Sequence, residues 1–390
     1  MQLNRQSPYL RVILIGVDQL ISAISNFLVI WLCLTSLPTE TFGSFSYSWS
    51  TIALFVVLGR ALFGIPALLD SEGEGPKQVI DLSSSLTGTL FLGGLTAIVT
   101  FLLYLLGGVN AGDKWIFGLF MIAPAILLQD QIRYLAIALK RIPYAIFLDL
   151  LVLFCILITV VLAKVNEFTG WYLIIGLTIG YLVASVIFIS SNAVTFSVRK
   201  LNQFIQLDFE RRSKLVGDAV LAWGFGLVAI TLIRVATGDA GFAIYNGLVF
   251  LGLQAEVVRT KGNLAIRHRT LLVLISFSPI LWTLVSNSAP EAFVEKFLGE
   301  STQQILANSI PFSISSTLLI GIEVLNLFMR AHSKFGNIAK IRLISGILSL
   351  SFLTLGLVTS AELITLIYIL ALGQFIGLTL TINSLRTEKS

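Results

Sequence analysis

Twelve continuous apolar runs, each near the length that crosses a bilayer, dominate this chain of 390 residues. A spanning helix needs about 20 consecutive apolar residues at a rise of about 1.5 Å each. Hydrocarbon offers backbone groups no partner, so a spanning element is either a helix or a strand of a closed barrel, and barrel strands read as short alternating segments. The runs here are unbroken, and they predict helices near 11–36, 42–69, 82–107, 115–139, 142–163, 170–191, 215–236, 240–258, 270–287, 305–329, 343–360 and 363–383. The expected fold class is all-α, a polytopic membrane protein. Its 56% hydrophobic residues, 12% charged residues and mean hydropathy of +0.91 lie far from soluble domains. The first run is too long for a secretory signal and no small-residue cleavage site follows it, so it reads as an uncleaved helix.

Between the runs, Lys and Arg collect on one side. With the N-terminus inside, 20 of them fall in cytoplasmic segments, and only Lys114, Lys164, Arg234 and Lys296 fall outside. This bias predicts cytoplasmic termini and an even number of spans, and it assigns Arg342 to a cytoplasmic loop. It also accounts for the net charge of +5 as a topology signal, with no nucleic-acid partner implied. The longest break mixes Val198, Leu201, Phe204 and Ile205 with Arg199, Lys200, Arg211, Arg212 and Lys214. That pattern suits a helix lying along the headgroups or a solvated basic linker. Three parts are expected: an N-terminal six-helix lobe at 1–191, a cytoplasmic amphipathic linker at 192–214 and a C-terminal six-helix lobe at 215–390.

Seven ionisable side chains interrupt the runs: Asp18, Arg60, Asp130, Arg133, Asp149, Asp218 and Glu323. Each costs about 2.5 to 3.5 kcal/mol at the bilayer centre, so all seven facing lipid would cost roughly 20 kcal/mol. They must line protein or water. Counted along the predicted helices, all seven fall in the cytoplasmic half, which implies a wet cavity open to the cytoplasm in at least one state. Five acids against two arginines sum to −3. Asp218, nearest the start of its run, is expected to cap a helix or face its dipole. Pro66, Pro124, Pro279 and Pro311 lie inside runs, and each frees a carbonyl that a neighbour or water must satisfy. Cys33 and Cys155 lack metal-ligand spacing, and no nucleophile or nucleotide motif appears, so neither a metal, a cofactor nor a catalytic residue is expected.

The two halves echo each other about 200 residues apart. Leu14-Ile15-Gly16-Val17-Asp18 returns loosely as Leu215-Val216-Gly217-Asp218, and Gly43 with Tyr47 returns as Gly241 with Tyr245. Six spans per half give both halves one orientation, so the lobes are expected to be parallel repeats about an axis along the membrane normal.

The opening Val17-Asp18-Gln19-Leu20 with Ser22, Ser25, Asn26 and Phe27, the turn Pro38-Thr39-Glu40-Thr41-Phe42-Gly43 and the run Gly59-Arg60-Ala61-Leu62 carry a family resemblance. Gly299 ahead of a long helix ending Phe328-Met329-Arg330-Ala331 adds to it. The chain resembles the polysaccharide-unit flippases of the multidrug/oligosaccharidyl-lipid/polysaccharide exporter superfamily. That resemblance implies two lobes alternating in access and a polyprenyl-diphosphate-linked glycan carried from the cytoplasmic to the outer leaflet for surface polysaccharide biosynthesis. It further implies a bacterial plasma (inner) membrane location, and as partners the lipid-linked glycan, membrane lipid, and glycosyltransferases and a polymerase of the same pathway. A cation-coupled multidrug exporter of the same superfamily is the alternative. A membrane-embedded glycan polymerase or ligase is a second one, disfavoured by the short outer segment at 288–304.

Under this reading the fourth span holds the densest polar group, Gln129, Asp130, Gln131, Arg133 and Tyr134. Arg133 suits a diphosphate, because its planar fork matches phosphate oxygens and stays charged at any depth. It also lies three residues from Asp130, so the two share a helix face and can pair instead. Arg60 is expected either to meet phosphate or to neutralise Asp18. The substrate-binding candidates are thus Arg133, Arg60, Gln129 and Tyr134. The cavity acids are Asp18, Asp130, Asp149 and Glu323, expected to couple transport to protons or sodium.

Overall fold

Alternate apolar faces explain why these segments fold as they do. Along the helix Ile142–Val165, buried Ala145, Leu148, Asp149, Val152 and Ile156 recur at three- and four-residue steps. On its other face Phe147, Leu150, Phe154, Leu157, Ile158 and Val161 are exposed, as a lipid-facing stripe requires. The computed structural model describes residues 8–71, 81–103, 115–165, 170–199, 201, 209–251, 277–290, 294–295, 302–331 and 335–386, and every regular element among them is helical.

In chain order α1 is Pro8–Ser36 and α2 is Thr39–Gly59, which passes through a π-turn, Arg60–Gly64, into α3, Ile65–Ser71. Then come α4 Leu82–Leu103, α5 Ile116–Ala138, α6 Ile142–Val165 and α7 Gly170–Ser191. Helix α8, Phe209–Ala219, passes through a second π-turn, Val220–Gly224, into α9, Phe225–Leu251, which breaks at Gly238 with φ 69°. The remainder is α10 Ser278–Ser288, α11 Thr302–Ala307, α12 Ser309–Ala331, α13 Phe335–Val358 and α14 Leu363–Arg386. Ten helices among the described residues are long and apolar enough to cross a membrane. The expected runs at 240–258 and 270–287 lie partly outside the described residues.

The chain forms two compact units. The first holds residues 1–32 and 48–216, and the second holds 33–47 and 217–390. In the first, α4 packs along α5 where Gly93 lies under Pro124: a methyl at Gly93 would meet the Pro124 Cα at 2.6 Å. Small residues at such crossings let backbones approach where lipid supplies no hydrophobic drive. Threonines inside the spans satisfy their hydroxyls locally, as Thr89, Thr96 and Thr100 do on the carbonyls of Ser85, Leu92 and Thr96. In the second unit a core of Tyr47, Ala229, Ile233, Leu353, Leu366 and Leu370 joins α2, α9, α13 and α14.

Helix ends in both units close with left-handed residues. Lys140, Ala193 and Ser360 have φ of 61°, 45° and 53°, and the next N–H of each reaches back five residues, to Ala136, Ile189 and Gly356. These are Schellman closures without the customary glycine.

Candidate functional site

Five of the seven charges converge in the first unit. Asp18 on α1, Arg60 at the start of the π-turn, Asp130 and Arg133 on α5 and Asp149 on α6 are drawn together because α5 packs against the π-turn, α3 and α6. Arg133 is the hub. Its Nε lies 3.2 Å from Asp18 Oδ2, and its Nη1 lies 3.8 Å from Asp149 Oδ2 and 3.9 Å from Asp130 Oδ1. Nη1 also donates to Ser22 Oγ at 2.7 Å, one turn beyond Asp18. Gln129 donates to Asp149 Oδ1 at 2.6 Å. The core of this cluster is sealed, with Arg133, Asp18 and Asp149 exposed by only 2%, 0% and 3%.

Asp130 finds its close partner elsewhere. Arg60 donates to it through both Nε, at 2.9 Å, and Nη2, at 2.8 Å, a fork that holds both carboxylate oxygens. Of the two expectations for Arg60, neutralisation of Asp18 is not the one realised: its partner is Asp130, and Arg133 faces Asp18. The Arg60–Asp130 pair forms the more open edge of the cluster, with side chains 16% and 11% exposed. Tyr134 joins the two arginines, its ring centre 5.5 Å from the Arg60 Cζ and 5.7 Å from the Arg133 Cζ.

The other two acids meet in the second unit, around a charge assigned from sequence to a loop. Arg342 is the eighth residue of α13 and is buried. Its Nη2 bonds Glu323 Oε1 and Oε2 at 2.6 and 2.7 Å, and its Nη1 bonds the Asp218 carboxylate and, at 3.0 Å, the Asp218 carbonyl. Asp218 is therefore not a cap: it is the tenth residue of α8 and an ion-pair partner. The charge sum changes with it. Three acids face two arginines in the first unit and two acids face one in the second, so each cluster carries −1 in place of a single −3.

The helices show why. Those starting at 116, 142 and 170 are matched by helices starting at 309, 335 and 363, a constant separation of 193 residues. In that register Asp130 corresponds to Glu323, Arg133 to Asn326 and Asp149 to Arg342. The arginine has moved from one helix to the next while the acid beside it stayed. The run expected from sequence begins at 343, one residue past Arg342, although the apolar span Asn337–Val358 takes it in. The helix register finds it.

No protein-family model matches the sequence, and no curated protein matches it. Solved structures do. Several of the similar structures carry the names of transporters or flippases. An inward-facing multidrug resistance MATE family transporter of the MOP superfamily is 13% identical over 97% of this chain and 99% of its own, with a TM-score of 0.62. The lipid II flippase MurJ, in an inward closed conformation, is 14% identical over 96% of this chain and 87% of its own, with a TM-score of 0.58. The Vibrio cholerae MATE transporter VcmN in its bent form is 16% identical over 97% of this chain and 98% of its own, at 0.58. This chain shares the helical fold of these three proteins.

Proposed function

We propose that this protein flips a polyprenyl-diphosphate-linked glycan unit from the cytoplasmic to the outer leaflet of a bacterial plasma membrane by alternating access. The Arg60 fork carries this reading. A guanidinium that already holds two carboxylate oxygens at 2.8 and 2.9 Å, at the open edge of the cluster, presents the geometry a diphosphate needs. Incoming diphosphate displaces Asp130 from Arg60, with Tyr134 and Gln129 bordering the site and Arg133 supplying positive potential from behind. The displaced Asp130 then becomes an uncompensated carboxylate that takes up a proton or sodium ion, which couples the two movements. Asp18 and Asp149 around Arg133, and Glu323 in the second unit, serve as further cation-responsive groups. Both termini lie in the cytoplasm, and glycosyltransferases and a polymerase of the same pathway supply and consume the substrate.

A second reading, cation-coupled export of cationic drugs, is favoured by the residual −1 of each cluster and by the fold shared with MATE exporters. Depletion separates the two. The flippase predicts lipid-linked oligosaccharide accumulating toward the cytoplasm and loss of surface glycan, whereas an unchanged lipid-linked pool with altered drug sensitivity overturns it. Arg60→Lys supplies the residue-level arm: it keeps the charge and loses the fork, so surface glycan should fall while the amount of folded protein in the membrane stays constant.

A further inference from the structure

Residue 66 is a proline inside a spanning segment, so the carbonyl four residues before it, that of Leu62, has no α-helical N–H to accept from. In hydrocarbon such a group must find another donor. It finds Arg212. This arginine, the fourth residue of α8, is 1% exposed and donates through Nη1 to the Leu62 carbonyl. Two turns further along the same segment, Arg211 pairs with Asp70 at 2.9 Å. Neither arginine is the solvated linker charge that the sequence pattern allows.

Leu62 is no ordinary position. It lies at the centre of the π-turn Arg60–Gly64, where the Ile65 N–H bonds the Arg60 carbonyl in the wide register. Single π-turns recur at functional sites. Here the turn opens with Arg60, whose fork on Asp130 forms the open edge of the first-unit cluster.

We propose that Arg212 is a positioning residue for that site: by occupying the carbonyl that Pro66 frees, it keeps the π-turn wound in the form that lets Arg60 reach Asp130. The chain leaves the first unit at residue 216, only one turn beyond Arg212. A shift of α8 along its axis is thereby transmitted to the π-turn through the Arg212–Leu62 hydrogen bond. The consequence for transport rests on the function proposed above, whereas the winding of the π-turn does not.

The test uses the purified full chain in lipid nanodiscs and amide hydrogen exchange over 58–70. Arg212→Ala should raise exchange of that segment at least tenfold, and Arg212→Lys, which still donates, should leave it near the starting value. Pro66→Ala in the Arg212→Ala background restores an N–H that can close onto Leu62, and should return exchange to within about twofold. If Arg212→Ala leaves exchange unchanged, or if Pro66→Ala brings no rescue, the proposal fails. Should Arg212→Ala alone not fold, recovery of folded protein by the added Pro66→Ala supports it, and failure of both variants overturns it. In cells, rescue of surface glycan by Pro66→Ala tests the link to transport. Restored exchange without restored glycan overturns that link and leaves the flippase reading to the depletion experiment.

Discussion

Arg133 holds three carboxylates apart while itself almost fully buried, and that fixes what its removal does. Breaking a buried charge cluster by deleting one partner costs about 3–5 kcal/mol, because Asp18 and Asp149 are left buried without a cation, while Asp130 keeps Arg60. Arg133→Ala should therefore lower the thermal stability of the detergent-purified protein by that amount, and adding Asp149→Asn should recover a large part of it. An unchanged melting temperature in the single variant would show that the cluster is wetter than its burial indicates. The chance of an Asp130–Arg133 pair was legible because three-residue spacing shares a helix face, yet that contact is the longest of the set at 3.9 Å. Arg60 and Asp130 stand 70 residues apart. No local rule joins them, and only the packing of α5 against the π-turn does.

Among the elements, the helices themselves were readable from run length, and their crossings were not. Gly93 looks like any glycine in an apolar run, but its backbone lies where a methyl would strike Pro124 at 2.6 Å. Gly93→Ala should push α4 off α5 and cost about 1–3 kcal/mol, measured as a loss of melting temperature. The opposite sign is expected at a helix end. Ala193 is exposed in the left-handed region with φ 45°, so Ala193→Gly relieves about 1 kcal/mol of backbone strain and should raise the melting temperature slightly. A fall there would mean that the closure of α7 is not strained. The π-turn at Arg60–Gly64 left only one trace in the sequence, Pro66, which announced an orphaned carbonyl without naming its donor.

For the whole molecule, the 193-residue register makes a prediction that no single helix makes. Arg342→Asp should unfold the second cluster by setting three acids together. Adding Asn326→Arg recreates the first-unit arrangement of acid and arginine on one helix with an acid on the next, and should recover folded protein on size-exclusion chromatography. If the double variant is no better than the single, the correspondence is one of helix lengths alone. The sequence halves hinted at a repeat through Asp18 and Asp218, but the hint broke off further along, where Arg133 is matched by neutral Asn326 and Asp149 by the opposite charge of Arg342. That exchange has a consequence for any comparison of the halves. Each cluster carries one surplus negative charge, yet the cation sits on different helices in the two. A position-by-position comparison records such a swap as two unrelated mismatches.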